Sequence, residues 1–426
     1  KAMQDFGDGE AQAPLRIGVA GLGNVGATLV RILQKDGTEL TRKLGRNLVV
    51  TAVAARSRSR DRGIDISGLE WFDDPVALAK SDGIDLFVEL IGGEDGPAFA
   101  AVKAALEIGR PVVTANKALL AKHGVALARL AEATGAQLGF EAAVAGGIPV
   151  IKTLREGLGS ASIAKVFGIL NGTCNYILTR MGNEDISFAD CLKDAQALGY
   201  AEADPTFDVE GYDTAHKLAI LATLCFGYEI APDQIRVEGI SRITQHDIKV
   251  AAELGYKIKL LGIAQRTEAG IEQRVHPTFV PKGSAIAGVD GVMNAVALET
   301  DHVHELLLAG PGAGGPPTAS SVLSDILDIA RGTRVPPLGV PSQELLPYKQ
   351  APMRAHEGGY YVRLNAKDVP GALAAIASRM AEHAISIDSV IQRSDLSAKA
   401  VAPDGSPTRT VVMITQQTLE SDVRES

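Results

Sequence analysis

Asp213 and Lys217 stand four residues apart in a stretch, Asp213 to Leu224, whose pattern predicts a helix, so the two side chains share one face. Ahead of them runs GYAEADPTFD, residues 199–208, with carboxylates at Glu202, Asp204 and Asp208. Carboxylates there could hold a substrate ammonium group while the lysine serves an oxygen. Hydride transfer to a carbonyl makes such an oxygen, an alkoxide that needs a proton and a nearby positive charge. Spacing alone favours a plainer reading: an exposed i,i+4 salt bridge, with Asp204 and Asp208 as helix caps or turn formers.

Lys117 is a second candidate. It follows Val112-Val113-Thr114-Ala115-Asn116, at the carboxyl end of an expected strand, the edge at which open α/β sheets bind ligands. A lone lysine there is equally a solvated surface group. Asn171-Gly172-Thr173-Cys174-Asn175 reads as a compact polar turn leaving a strand, able to bind substrate or simply to shape the chain. Gly310-Pro311-Gly312-Ala313-Gly314-Gly315 is a glycine-rich turn before a helix, either an anion site or a bare loop.

These groups need a cofactor beside them, and residues 21–26 offer a place for one. Gly21-Leu22-Gly23-Asn24-Val25-Gly26 follows the apolar run Leu15 to Ala20 and precedes a helical pattern from Ala27. Strand, glycine turn and helix in that order let backbone N–H groups meet a pyrophosphate. Gly21 allows the tight turn, Gly23 the approach of phosphate and Gly26 the packing of helix on strand. The second strand runs into Arg56-Ser57-Arg58-Ser59-Arg60, where a site for NAD usually carries a carboxylate. Arginine can clamp a 2′-phosphate with paired donors, so NADP(H) is expected to be preferred, with NAD(H) as the lesser option; the other reading is a solvated basic loop.

The elements that position these residues fall into sections. Residues 14–145 alternate strand and helix, which predicts a Rossmann-type parallel sheet with helices on both faces. Residues 146–318 read as a mixed α+β substrate and dimerisation domain, with strands at Ile163 to Leu170 and Val275 to Val280. Helices are expected at Phe188 to Leu198, Asp213 to Leu224 and His246 to Glu253. A helix within 319–335 is expected to return to the first domain, and 336–358, rich in Pro, Ser and Gly, reads as a linker. Residues 359–426 form a small βα-type module, and 1–13 a polar, flexible tail.

Composition narrows the class. The 426 residues are 46% hydrophobic and carry a formal charge of −9, which argues against a nucleic-acid binder. No run of 18 apolar residues appears, so no membrane span is expected. Three cysteines, Cys174, Cys191 and Cys225, form no metal-type spacing, and a cytoplasmic protein with reduced thiols is the simple expectation.

Taken in order, GLGNVG (21–26), VVTANKALLA (112–121), FEAAVAGGIPVI (140–151), GILNGTCNYIL (168–178), GYAEADPTFDVEGYDTAHKLAIL (199–221) and GPGAGGPPTASSVLSDI (310–326) closely resemble the homoserine dehydrogenase family. The resemblance spans most of residues 15–331. It implies interconversion of L-homoserine and L-aspartate 4-semialdehyde with NAD(P)(H), in threonine, methionine and isoleucine synthesis. It implies Lys217 as proton donor or acceptor, Lys117 beside nicotinamide and substrate with a share in that role, and Asp213 and Asp208 as substrate-binding groups. Glu202 and Gly199 would lie at the substrate–nicotinamide junction, with Glu202 as ammonium partner. Gly21, Gly23, Asn24, Val25, Gly26, Arg56 and Gly312 would hold the cofactor. The family also binds a monovalent cation, typically sodium; carried over, its ligands are the Glu141 carboxylate and the carbonyls of Val144, Gly146 and Ile148.

Residues 360–392, YYVRLNAKDVPGALAAIASRMAEHAISIDSVIQ, resemble an ACT domain, a βαββαβ module that binds amino acids. Asn365, Asp368, Pro370 and Gly371 mark its ligand loop, and the resemblance implies feedback control by L-threonine and pairing of subunits into a homo-oligomer. The segment Ser394 to Pro407 is long for a strand connection, and the sequence stops short of a full second helix and last strand, so an incomplete module is expected.

Two rival readings remain. A semialdehyde dehydrogenase of the cysteine-dependent kind would use Cys174 as nucleophile. A non-enzymatic metabolite-sensing regulator would need a basic DNA-binding segment, which the acidic balance does not suggest. If Arg56 meets the 2′-phosphate, Arg56→Asp weakens NADP⁺ binding relative to NAD⁺ by roughly tenfold or more, the worth of a hydrogen-bonded charge pair. Titration of both cofactors checks this; an unchanged preference removes Arg56 from the site.

Overall fold

The computed structural model describes residues 12–352, 357–392 and 401–426; the tail expected over 1–13 lies outside them except for its last two residues. The chain divides into two compact units. One comprises the residues up to 266 together with 273–349; the other comprises 267–272 together with 350–426.

In the first unit the alternating apolar runs build a six-stranded sheet. Its strands are β1 (Leu15–Ala20), β2 (Leu48–Ala54), β3 (Glu70–Phe72), β4 (Leu86–Glu89), β5 (Val112–Thr114) and β6 (Leu138–Gly139), in the order β3-β2-β1-β4-β5-β6. Every neighbouring pair is parallel. Strands buried on both faces read as continuous apolar runs, and Ile17, Val19, Leu86, Phe87 and Val88 are all fully buried. Strand order reverses between β1 and β4, which opens a crevice at their carboxyl ends. The helix Gly315–Arg331 packs on Asn24–Leu44, and its Val322 and Ile326 share one core with Leu29 and Val30.

A second, mixed sheet contains β7 (Ile163–Ile169), β8 (Arg236–Val237), β9 (Tyr256–Thr267), β10 (Gly270–Pro281), β11 (Met293–Thr300) and β12 (His304–Pro311), in the order β12-β11-β7-β9-β10-β8. β7 runs antiparallel to both β11 and β9, while β8 is parallel to β10. The helix Tyr212–Phe226 packs against β7 on one side and against the helix Lys117–Thr134 on the other.

Several elements differ from the sequence expectation. β9, β11 and β12 were not separated from their surroundings, because β9 and β11 are buried on both faces and lack clean alternation. Asn171–Asn175 is not a free turn but the start of a helix, Gly172–Glu184, with Asn171 as its cap. The proline-rich stretch after 336 is fastened in place as far as 349. Leu338 and Leu345 are buried, Ser342 N donates to both oxygens of Glu132, and Leu346 N donates to Gly227 O at 3.0 Å.

In the second unit, strands Tyr361–Lys367 and Ile387–Gln392 flank Thr408–Thr415 in an antiparallel sheet. The helix Ala372–Glu382 supplies Met380 to a small core with Ile385, Val411 and Met413. Part of the long connection expected over Ser394–Pro407 lies outside the described residues; the rest closes in a tight turn, where Lys367 Nζ meets Asp404 at 2.5 Å. Thr418–Leu419 then pairs with Glu357–Gly358, and a short helix, Glu420–Glu425, follows. Among the described residues no helix is long and apolar enough to cross a membrane.

Candidate active site

The glycine turn after β1 has the shape its spacing implies. Gly21 sits at φ +97°, and a Cβ there would lie 2.3 Å from Leu90 O. A Cβ on Gly26 would lie 1.9 Å from Gly21 O, so the helix starting at Asn24 can pack this close only with glycine. A Cβ on Gly23 would meet nothing within 4 Å, which leaves that face open. Val25 packs against the sheet core. Gly23 supplies no side-chain cap, so the N–H groups that open the Asn24–Leu44 helix are left for a ligand.

The second glycine turn comes to the same place. The helix Gly315–Arg331 also starts without a side-chain cap, and a Cβ on Gly315 would lie 2.7 Å from Asn24 Oδ1. Two open helix N-termini therefore stand side by side, and their partial positive charges suit a pyrophosphate. Gly312 is a glycine for packing, since a Cβ there would meet Asn294 Nδ2 at 2.0 Å.

The basic loop after β2 is ordered by a residue that the sequence reading passed over. Arg62 donates to Leu22 O at 3.2 Å, to Ser57 O at 2.7 Å and to Arg60 O at 2.8 Å. It thereby ties the loop to the glycine turn and leaves Arg56 exposed at the strand end.

Lys117 is the first residue of its helix, directly after the Asn116 cap, whose side chain accepts from Leu119 N and donates to Gly93 O at 2.6 Å. The buried Glu89 carboxylate at the end of β4 steadies this edge. It accepts from Ile91 N, Gly92 N and Thr114 Oγ1. A carboxylate in an otherwise apolar strand was the signal for it.

From that edge Lys117 Nζ reaches Asp213 Oδ1 at 2.8 Å, and Lys217 Nζ reaches Asp213 Oδ2 at 2.7 Å. Asp213 is 2% exposed, so this is no surface i,i+4 pair. Lys217 also donates to Leu170 O at 2.7 Å. The two lysines titrate differently. Burial dominates at Lys217 and lowers its pKa, against the pull of Asp213. Burial also opposes charge on Lys117, but Asp213, with Asp208 and Glu202 behind it, outweighs that and raises its pKa. Burial works against the charge of Asp213 too, yet the two ammonium groups hold it far below the usual carboxylate range.

The other expected substrate groups are placed unequally. Asp208 is partly buried; burial first and Asp213 second raise its pKa. Glu202 is exposed and reaches Lys117 only through its charge. Gly199 takes φ +77° on the same loop, whose next residue, Tyr200, accepts from Thr173 Oγ1 at 2.7 Å. Asp213 accepts on both oxygens from protein donors, so here it is a counter-ion. Asn171 Nδ2 donates to Asp208 at 2.8 Å and to Asp213 at 2.9 Å, a link that the sequence reading did not anticipate.

Glu141 is held by the backbone. Its carboxylate accepts from Ile151 N at 2.9 Å on one oxygen and from Lys152 N at 2.7 Å on the other, closing the helical start at 150–152. Burial first, then the neighbouring Asp325, raise its pKa to about 7. Gly146 O accepts from Ser321 Oγ and Ile148 O from Val150 N. Among the described residues no cluster of three or more His, Cys, Asp or Glu side chains is placed to hold a metal. Each carboxylate oxygen accepts one backbone bond and keeps a further lone pair, and carboxylate and carbonyl oxygens on the 141–148 turn are the chemistry a hard cation takes.

Three family models match the chain: homoserine dehydrogenase over 149–327, homoserine dehydrogenase NAD binding domain over 21–141, and ACT domain over 360–417. A homoserine dehydrogenase of Neisseria gonorrhoeae is 44% identical over 419 residues, covering 97% of this chain and 94% of the relative. One of Helicobacter pylori is 42% identical over 382 residues, covering 90% and 89%. The crystal structure of a homoserine dehydrogenase from Thiobacillus denitrificans superposes with a TM-score of 0.88 at 44% identity, over 96% of this chain and 93% of that one. A hyperthermophilic archaeal homoserine dehydrogenase in complex with NADPH gives 0.65 at 26% identity, over 76% and 99%.

Cys174 is fully buried, and its thiol donates to Asp208 O at 3.2 Å. Burial first, then Asp208 and Asp213, raise its pKa well above the ordinary thiol value, so it stays protonated and is a poor nucleophile. Cys174→Ser is expected to keep turnover within about fivefold of the parent, since a second hydroxyl-sized donor fills the same place. Steady-state assay checks this, and loss of nearly all activity restores the cysteine-dependent mechanism.

Proposed function

The chain belongs to the homoserine dehydrogenase family, and from that premise we propose that Lys217 transfers the proton at the substrate oxygen while Lys117 supplies fixed positive charge beside it. The protein is an NAD(P)-dependent oxidoreductase. The proposed reaction interconverts L-homoserine and L-aspartate 4-semialdehyde, within threonine, methionine and isoleucine synthesis in the cytoplasm. The observation that carries the assignment is the buried Lys117–Asp213–Lys217 bridge.

A bound nicotinamide would supply the hydride acceptor or donor; the chain's own residues do the rest. Gly21–Gly26 and the turn Gly312–Gly315 offer backbone N–H groups for its phosphates. Preference for NADP(H) is supported by Arg56, exposed at the end of β2 where a carboxylate would repel a 2′-phosphate, and by the NADPH bound in the archaeal relative. Glu202 and Asp208 receive the substrate's α-ammonium group. Lys217, its proton loosened by burial, takes the hydroxyl proton as the alcohol is oxidised and returns it in the reverse direction. Lys117, kept charged by Asp213, stabilises the alkoxide-like oxygen. The Glu141 carboxylate and the carbonyls of Val144, Gly146 and Ile148 would hold a sodium ion, the carboxylate keeping its two backbone bonds to the helix start. The second unit is read as an amino-acid sensor for L-threonine, and the working enzyme as a homo-oligomer.

In Lys217→Ala, turnover should fall by about 10²- to 10⁴-fold, the usual worth of a positioned acid–base group, while NADP⁺ still binds by fluorescence titration. In the parent, homoserine oxidation should rise with pH through an apparent pKa below the ordinary lysine value of about 10.4, because only the neutral amine accepts a proton. Near-normal turnover of the variant refutes the role. Titrating L-threonine against activity should give progressive inhibition, and a flat response defeats the sensor reading.

A further inference from the structure

We propose that Asn171 is a positioning residue for the proton-transfer centre: its one side-chain amide joins the Asp208 and Asp213 carboxylates and so sets the counter-ion that both lysines share. The inference rests on the assignment of Lys217 as the proton-transferring group.

Asn171 lies two residues past β7, capping the next helix with extended backbone at φ −128°, and is 6% exposed. Its side chain makes three hydrogen bonds. Oδ1 accepts from Cys174 N at 2.9 Å, while Nδ2 donates to Asp208 Oδ1 at 2.8 Å and to Asp213 Oδ2 at 2.9 Å. The neighbours fix which way the amide points, since carboxylates accept and the Cys174 N–H donates. No other side chain of this length offers two donors and one acceptor. Aspartate and serine can take the Cys174 N–H but cannot bridge two carboxylates.

The position matters because Asp213 Oδ2 is also the atom that holds Lys217. The preceding residue contributes Leu170 O to the same ammonium. The end of β7 therefore touches the amine, its counter-ion and the adjoining carboxylate together. Without the amide, two like charges face each other with no donor between them, and one of them takes up a proton or swings away. Asp213 then binds Lys217 differently, and the amine titrates at a different pH. The charged and titratable groups around this pair are Lys117, Lys217, Glu202, Cys174 and His216, from four separate segments of the chain.

The test uses Asn171→Ser and Asn171→Asp in the full chain. Both keep an acceptor for the helix cap and should bind NADP⁺ with unchanged affinity; Asn171→Ser should melt close to the parent, while Asn171→Asp, which buries a further carboxylate, should melt lower. Homoserine turnover should fall by roughly tenfold or more in each, as expected when a hydrogen bond to a charged group is lost. The pH profile of kcat/KM should shift in both. The acidic limb should move upward further in Asn171→Asp, which brings a third carboxylate to the cluster. A folded Asn171→Ser with parental turnover and profile overturns the proposal, as does a loss of turnover with no shift of either profile. If Lys217→Ala is inactive while the Asn171 variants titrate like the parent, this inference alone fails. If Lys217→Ala is active, the reading beneath it fails.

Discussion

A carboxylate with almost no access to water is held between two ammonium groups, and most of the architecture follows from the need to satisfy it. An unpaired buried charge is costly, and removing one partner of a buried pair typically costs about 3–5 kcal/mol. Asp213 avoids this by drawing Lys117 from the edge of the parallel sheet and Lys217 from its own helix. The arrangement works only if the sheet edge, the 212–226 helix and the end of β7 meet at one point. Glu89 and Asn116 fix the first of these, and the Leu170–Asn171 step fixes the last. Burial set against that carboxylate gives the lysines opposite tendencies: at Lys117 the carboxylate outweighs burial and holds the charge, while at Lys217 deeper burial outweighs it and eases the amine toward neutrality. A pair of titratable groups pushed apart in this way is what acid–base chemistry at neutral pH requires.

The cofactor side depends on close approach more than on charge. Gly21, Gly26 and Gly315 each occupy a place where a Cβ would meet backbone or the Asn24 amide, and their absence of side chain brings two uncapped helix starts together. Those helices share a core, so the uncapped amides sit on a rigid base. The basic loop after β2, proposed to meet the 2′-phosphate, is tied to the glycine turn through Arg62.

Much of this was legible in the residues. The parallel sheet could be read because strands buried on both faces give unbroken apolar runs, as at Leu15–Ala20 and Leu86–Glu89. GLGNVG could be read because each glycine answers a separate steric demand. The chemistry of Asp213 and Lys217 could not be ranked on spacing, since i,i+4 pairs look alike whether exposed or buried; only the depth of Asp213 and the arrival of Lys117, 96 positions earlier in the chain, separate them. Asn171 looked like a turn residue because Asn caps helices and shapes turns alike, and its second function depends on carboxylates 37 and 42 residues away. The bonds that Glu141 accepts from the backbone at 151 and 152 could not be read, because backbone donors leave no trace in side-chain patterns.

The most direct measurement is a crystal structure of the ternary complex with NADP⁺ and L-homoserine. The account predicts Lys217 Nζ within hydrogen-bond reach, about 2.6–3.2 Å, of the substrate's hydroxyl oxygen, with that carbon facing the nicotinamide. A complex in which the Lys217 amine lies out of reach of that oxygen, with another side chain or water in its place, would contradict it.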